Sequence, residues 1–334
     1  MTGRFTRIIC ATAVIAVMTI WETRAQDPHF SQYYANPLYL NPAMAGAPVC
    51  PRLILNYRNQ WPSISGQYVT YNASYDQHVE ALSGGIGVLV NVDRAGEGTL
   101  STTMASGIYS FRTQLGSKFS LKAGIQATFL QKNLDWTKLT FPDQIDPRHG
   151  FVFNTNEIYP SDGLVKTMAD FAAGTVLYSE RFFCGFSAHH LTTPNEGFIS
   201  YSELPLKMTA HAGAIINIEG RRSRKHSVSI DETSISPNIM FQKQGEFEQL
   251  NYGVYLNKYP FVVGTWFRQN FDNPDAVIVL LGFVQPSFKF GYSYDLTVSK
   301  LTNASGGAHE FSLGIQFECS PVQKRAKAIP CPSF

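Results

Sequence analysis

Apolar and polar residues alternate with a period of two, not 3.6, through most of residues 52–318. In 119–130, Phe119, Leu121, Ala123, Ile125, Ala127 and Phe129 alternate with Ser120, Lys122, Gly124, Gln126 and Thr128. In 288–298, Phe288, Phe290, Tyr292, Tyr294, Leu296 and Val298 alternate with Lys289, Gly291, Ser293, Asp295 and Thr297. Residues 69–76 and 311–318 repeat the pattern. Successive strand side chains point to opposite faces, so each such run has one apolar and one polar face. Fourteen strands are predicted, near 52–58, 68–78, 84–91, 100–112, 118–130, 167–178, 181–190, 207–218, 226–241, 247–257, 260–268, 275–285, 286–297 and 309–318. Pro237 interrupts the ninth, because proline donates nothing to a ladder. The run 276–284 is apolar on both faces and calls for a packing partner inside.

Connections after even-numbered strands are mostly short, as at 79–83, 113–117 and 258–259; those after odd-numbered strands are longer, as at 59–67, 131–166 and 191–206. Alternating short turns and long loops characterise outer-membrane barrels, with the short turns in the periplasm. A soluble sandwich has no reason for this parity, nor for outer faces so rich in Phe and Tyr. The expected fold is therefore all-β: a transmembrane antiparallel up-and-down barrel of about fourteen strands, both mature termini periplasmic. Tyr57, Trp61, Tyr68, Trp136, Tyr259 and Trp266 are candidates for its interfacial aromatic girdles.

Residues 1–25 read as a signal peptide. Arg4 and Arg7 precede an apolar run over 8–20, and Thr23-Arg24-Ala25 places small residues at −3 and −1. The run is shorter than the roughly 20 residues of a spanning helix. Net charge is +2, and losing Arg4, Arg7, Arg24 and Glu22 with the leader leaves 24 basic and 24 acidic residues. That balance gives nucleic acid no electrostatic footprint. The expected organisation is 1–25 leader, 26–51 N-terminal plug or docking segment, 52–318 barrel and 319–334 periplasmic tail.

Residues 26–51 do not alternate. QDPHFSQYYANPLYLNPAMAG (26–46) is aromatic and carries two Asn-Pro pairs five residues apart, each favouring a turn. A segment this rich in Phe, Tyr, Leu and Pro is expected to tuck into the lumen or to meet a partner. Asp27, His29, Phe30, Tyr33, Tyr34, Asn36, Pro37, Asn41 and Pro42 are its candidate plug or partner-binding residues.

This opening closely resembles the PorP/SprF proteins, outer-membrane components of the type IX secretion and gliding machinery of Bacteroidota. The resemblance continues through YRNQWPSI (57–64), SYD (74–76), GGIGVLVNVDRAGEGTLSTT (84–103), FPDQIDPRHGF (141–151), GYSYD (291–295), FSLGIQFEC (311–319) and IPCPSF (329–334). It implies a barrel that works with other type IX components, including periplasmic ring lipoproteins, and with large exported cell-surface adhesins, embedded in outer-membrane lipid. Secretion and surface anchoring of adhesins is the expected role. The alternative is a transporter or porin for hydrophobic or small solutes with a movable plug.

Candidate chemistry changes little. His189 and His190 are adjacent in an alternating run and are expected to point to opposite faces. His211 is expected to face the lumen, and His149 lies in the 131–166 loop near Asp143, Asp146 and Asp162 without the spacing of a Ca²⁺ or Zn²⁺ site. No nucleophile elbow, P-loop or dinucleotide fingerprint occurs, so no enzyme, cofactor or metal is expected. Arg221, Arg222, Arg224 and Lys225 form a basic run in a periplasmic connection, a candidate docking surface for an acidic partner. Cys319 and Cys331 are spaced for a short-loop disulfide worth about 3 kcal/mol in the chain-entropy model; Cys50 is an alternative partner for either. Cys184, within a strand, is expected to pack as a small apolar residue.

Overall fold

The computed structural model describes residues 26–318 except 49, 97, 158–162, 219–232, 272 and 299–305. The leader, the basic run 221–225, Cys319, Cys331 and the tail lie outside the described residues.

Fourteen long strands follow one another around a closed wall. They are β1 (Arg52–Gln60), β2 (Tyr68–Val79), β3 (Gly84–Ala95), β4 (Leu100–Leu115), β5 (Phe119–Leu134), β6 (Val165–Tyr178), β7 (Phe182–His189), β8 (Lys207–Ala214), β9 (Ser234–Gln244), β10 (Phe247–Lys258), β11 (Phe261–Gln269), β12 (Pro274–Val284), β13 (Phe288–Thr297) and β14 (Ala308–Gln316). Each pairs antiparallel with the next, and β1 pairs with β14 from Arg52↔Gln316 to Gln60↔Ala308, which closes the ring. A two-residue piece, Ile216–Asn217, extends the β8 side of the ladder to β9. Among the described residues the fourteen-strand wall has no edge strand, as lipid requires.

The alternation is read inside out relative to a soluble protein. In β5, Ser120, Lys122, Gly124, Thr128 and Leu130 are buried inside the ring, whereas Phe119, Ile125 and Phe129 are exposed outward at 47%, 63% and 54%. Those outward side chains meet hydrocarbon, where apolar exposure is favourable. On the 276–284 run the inward face is also apolar: Ala276, Ile278, Leu280 and Val284 are buried, and Ile278, Leu280 and Val284 join a core cluster with Tyr255 and Trp266. The inner partner expected for this run is the N-terminal segment, through Tyr33 and Tyr34.

Four expectations change. The ninth strand starts at Ser234, and Pro237 lies within it, paired with Val254 of β10. The β8–β9 connection is accordingly long although it leaves the short-turn rim, while β9 and β10 are joined by a two-residue turn at the other rim, with Gly245 at φ +59°. Trp266 does not join a girdle: it shares the inward parity of Val262 and Arg268 and is 2% exposed. His190 does not oppose His189, because its φ of +59° ends the alternation and turns it inward, so that both rings are buried.

Candidate functional site

The two Asn-Pro pairs shape the N-terminal segment. Asn36 and Asn41 stand just before short helical turns, Pro37–Leu40 and Pro42–Met44, with proline at the first helical position, where its fixed φ suits a helix start. The Asn41 side-chain oxygen accepts from the Ala43 N–H at 2.9 Å, satisfying an otherwise orphaned donor. A third turn covers Tyr33–Ala35. The resulting compact strip runs the length of the ring.

Its first residues lie at the long-loop rim. The Asp27 N–H donates to Gln244 at the end of β9, and the Asp27 carboxylate meets His190 Nε2 at 2.8 Å and Lys207 Nζ at 3.3 Å. His190 Nδ1 contacts Asp170 at 2.8 Å, so the ring donates to carboxylates on both sides and is an imidazolium. Burial disfavours that charge, but Asp27 and Asp170 outweigh it and raise His190 to about 9. Burial likewise opposes the Asp27 charge, yet His190 and Lys207 hold its carboxyl far below the usual range.

Deeper in, charged wall residues grip the backbone. The Ser31 N–H donates to Glu310 at 2.6 Å and the Gln32 N–H to the other Glu310 oxygen at 3.1 Å. Ser31 Oγ donates to Asp295 at 2.6 Å and accepts from Arg58 at 2.7 Å. Arg58 bridges Asp295 and Glu310 at 3.0 and 3.2 Å, and Arg268 reaches Asp295 at 3.0 Å. The Arg58, Asp295 and Glu310 side chains are at most 2% exposed. Each charge in the cluster has an opposite partner, as buried charge requires, although Arg58 Nε and Asp295 Oδ1 make no hydrogen bond among the described residues.

Aromatic packing follows. Tyr33 donates to Asn251 at 2.7 Å and packs edge-on to Trp266; Tyr34 lies 5.5 Å from the Phe183 ring. Asn41 donates to the Thr175 and Phe186 carbonyls, and its amide nitrogen lies 3.3 Å from His211 Nε2. At the short-turn rim the Ala45 carbonyl accepts from Ser110 and Lys122, and the Gly46 N–H donates to Asp76, itself paired with Arg52. Three inward glycines let the strip lie directly on the wall. A Cβ on Gly124 would sit 2.4 Å from Ala43 N, one on Gly174 2.1 Å from Asn41 Oδ1, and one on Gly85 2.3 Å from the Ala45 carbonyl oxygen.

The nine candidate residues of 26–42 are thus gathered along one path. Phe30, Tyr33, Tyr34, Asn36, Pro37, Asn41 and Pro42 are buried, Asp27 is anchored, and His29 lies half-buried. The wall partners Arg58, Asp295, Glu310, His190, Asp170 and Lys207 escaped the sequence reading; their signal was charge on the polar face of alternating runs. The path also corrects one expectation: β1 and β14 begin and end at the short-turn rim as anticipated, but Asp27 reaches the opposite mouth. Cys50 is disulfide-bonded, and Cys184 is the free cysteine among the described residues.

The long connection after β5 is not structureless. It holds the turns Trp136–Lys138 and Pro142–Gln144 and a small ladder pairing Ile145–Asp146 with Gly150–Phe151. His149 there bonds Asp146 at 2.9 Å. Phe151, Val152 and Phe153 are exposed beyond the rim, as are Ile199 and Tyr201 on the connection after β7. Lys132 and Glu196 tie the roots of the two loops together at 2.5 Å.

Among solved structures, the chain is similar to the outer-membrane protein Omp33 of Acinetobacter baumannii, with 9% identity, a TM-score of 0.44, and coverage of 80% of this chain and 99% of that one. A variant of the monoaromatic hydrocarbon channel TodX matches with 10% identity, a TM-score of 0.43, and coverage of 83% and 92%. A Pseudomonas aeruginosa FadL homologue matches with 13% identity, a TM-score of 0.42, and coverage of 83% and 93%. At these levels the matches carry no functional argument. No curated protein sequence matches significantly. The model of the family described as type IX secretion system membrane protein PorP/SprF matches residues 22–315. The chain belongs to the PorP/SprF family of type IX secretion membrane proteins and is an outer-membrane β-barrel.

Proposed function

We propose that this protein serves type IX secretion as a non-enzymatic outer-membrane station that assists the export and surface anchoring of adhesins, and that residues 26–51 act as its plug. The observation that carries the reading is the strip from Asp27 to Gly46, bonded to inward-facing side chains from one rim to the other. A barrel so filled has little room for a solute path, which leaves its two rims as working surfaces. On the outer rim, Phe151, Val152 and Phe153 are apolar groups that water penalises and a protein partner would cover. Arg221, Arg222, Arg224 and Lys225, expected from the sequence in a periplasmic connection, would meet an acidic face of a ring lipoprotein.

Deleting the protein should remove surface adhesin while leaving outer-membrane permeability to small dyes unchanged. Increased solute uptake on mutating the plug, with adhesin display intact, would instead favour a transporter with a movable plug. Reversing the four basic charges should abolish co-purification with periplasmic components; undiminished co-purification would remove that surface from the account.

A further inference from the structure

The β8–β9 ladder is interrupted near the short-turn rim, and there an apolar groove of about 430 Å³ opens on the lipid-facing side. The ladder between these strands runs to Gly213↔Asn238 and resumes at Ile216↔Ile235, leaving two positions unpaired. Pro237 falls in the gap and brings no N–H to it. The Ile215 N–H turns away to the Arg181 carbonyl at 2.8 Å. Ala212, Gly213 and Ala214 leave little side chain to fill the seam. A Cβ on Gly213 would lie 2.5 Å from the Phe183 ring, so that ring occupies the space instead.

Outward-facing Phe119, Phe182, Cys184, Pro237 and Ile239 frame the mouth of the groove, and inward-facing Phe183 and Asn238 line its floor. It is therefore an open groove along the lipid-facing side of the wall whose floor reaches inward-facing side chains. Phe119 and Phe182 begin their strands at the short-turn rim, which sets the mouth in the periplasmic leaflet.

We propose that this groove is a binding site for one acyl chain of a membrane phospholipid. The occupant follows from position and chemistry. The mouth opens into hydrocarbon, the lining is almost wholly apolar, and the volume lies in the range of small-ligand sites. The Phe183 ring at the floor is the one that packs on Tyr34, so the bound chain and the N-terminal segment share a side chain.

The test places the full mature protein in nanodiscs containing a trace of phospholipid with a photoreactive acyl chain. The expected result is cross-linking concentrated in peptides carrying 177–184, 212–214 and 237–239, several-fold above the peptide carrying Ile125 and Phe129. It should include Phe183 or Asn238, saturate as unreactive phospholipid is added, and fall to the Ile125 level in Ala212→Phe. Cys184→Phe, on the neighbouring strand of the same outward face, gives the same reading if Ala212→Phe does not fold, folding being scored by heat-modifiable gel mobility. Cross-links spread evenly over the lipid-facing wall, or unchanged in a folded groove-filling variant, would overturn the proposal. So would displacement by a free alkane or fatty acid but not by phospholipid.

Discussion

Placing a methyl group on Gly124 and Gly174 tests the seating of the N-terminal segment where it is tightest. The added Cβ atoms would stand 2.4 Å from Ala43 N and 2.1 Å from Asn41 Oδ1, well inside van der Waals contact. At Gly124 the obstacle is backbone of the Pro42–Met44 turn, which cannot rotate away as a side chain would. Overpacking of this kind costs roughly 1–3 kcal/mol per site. The wall is held by unbroken ladders to β4 and β6, so the strain falls on the segment. Its seated population should drop about 5- to 150-fold per substitution. Gly107 is the control, since a Cβ there meets nothing within 4 Å. The assay is limited proteolysis of the reconstituted protein, read as cleavage within 26–47, with heat-modifiable mobility reporting an intact barrel. Gly124→Ala with Gly174→Ala should expose the segment while Gly107→Ala does not. Equal protection in all three proteins would refute the seating argument.

Arg58→Met should cost about 3–5 kcal/mol in barrel unfolding, because it leaves the buried Glu310 carboxyl with no cation while Asp295 keeps only Arg268; a urea titration in detergent reads this directly, and a change under 1 kcal/mol would contradict it. At the outer rim, Asp27, Asp170, Lys207 and His189 surround His190, whose value rises from 6.5 to about 9. That contribution, roughly 3 kcal/mol, is complete below pH 6.5 and fades as pH rises through 9. Asp27 acts oppositely, contributing above about pH 3.8 and losing its effect only in strong acid. Protection factors of the Asp27, His29 and Phe30 amides, measured against the intrinsic exchange rate at each pH, should therefore fall between pH 8 and 10 and lose that step in His190→Gln; a flat protection profile would count against the Asp27–His190–Asp170 pairing. Cys184 is a free thiol on the outward face, so a membrane-permeant maleimide should label it in intact vesicles and a charged one should not. Replacing Phe151, Val152 and Phe153 by serine should diminish adhesin retention without lowering barrel yield; undiminished retention would remove that patch from the proposed role.

The barrel was legible because period-two alternation is a direct consequence of strand geometry, and thirteen of the predicted strands overlap the observed ones closely. The ninth slipped because Pro237 looked like an interruption, whereas its missing N–H falls where the β8–β9 ladder already breaks. Trp266 was misplaced because a girdle role was inferred from residue type rather than from its parity with Val262 and Arg268. For His190 the deciding fact is a positive φ one residue past the strand, which no alternation rule foresees. The segment's candidate residues were visible from their aromatic and Asn-Pro content. Its wall partners were not, because Arg58, Asp295 and Glu310 come from strands far apart in sequence. Gly124 and Gly174 were visible only as small members of a polar face; their meaning depends on what lies across the lumen.

Single-channel recording in planar bilayers bears most directly on the central claim that the lumen is filled by the chain's own first residues. The mature protein should add almost no conductance, while the Gly124→Ala, Gly174→Ala protein should open stepwise ohmic pores. Large, steady pores from the unmodified protein would contradict the claim.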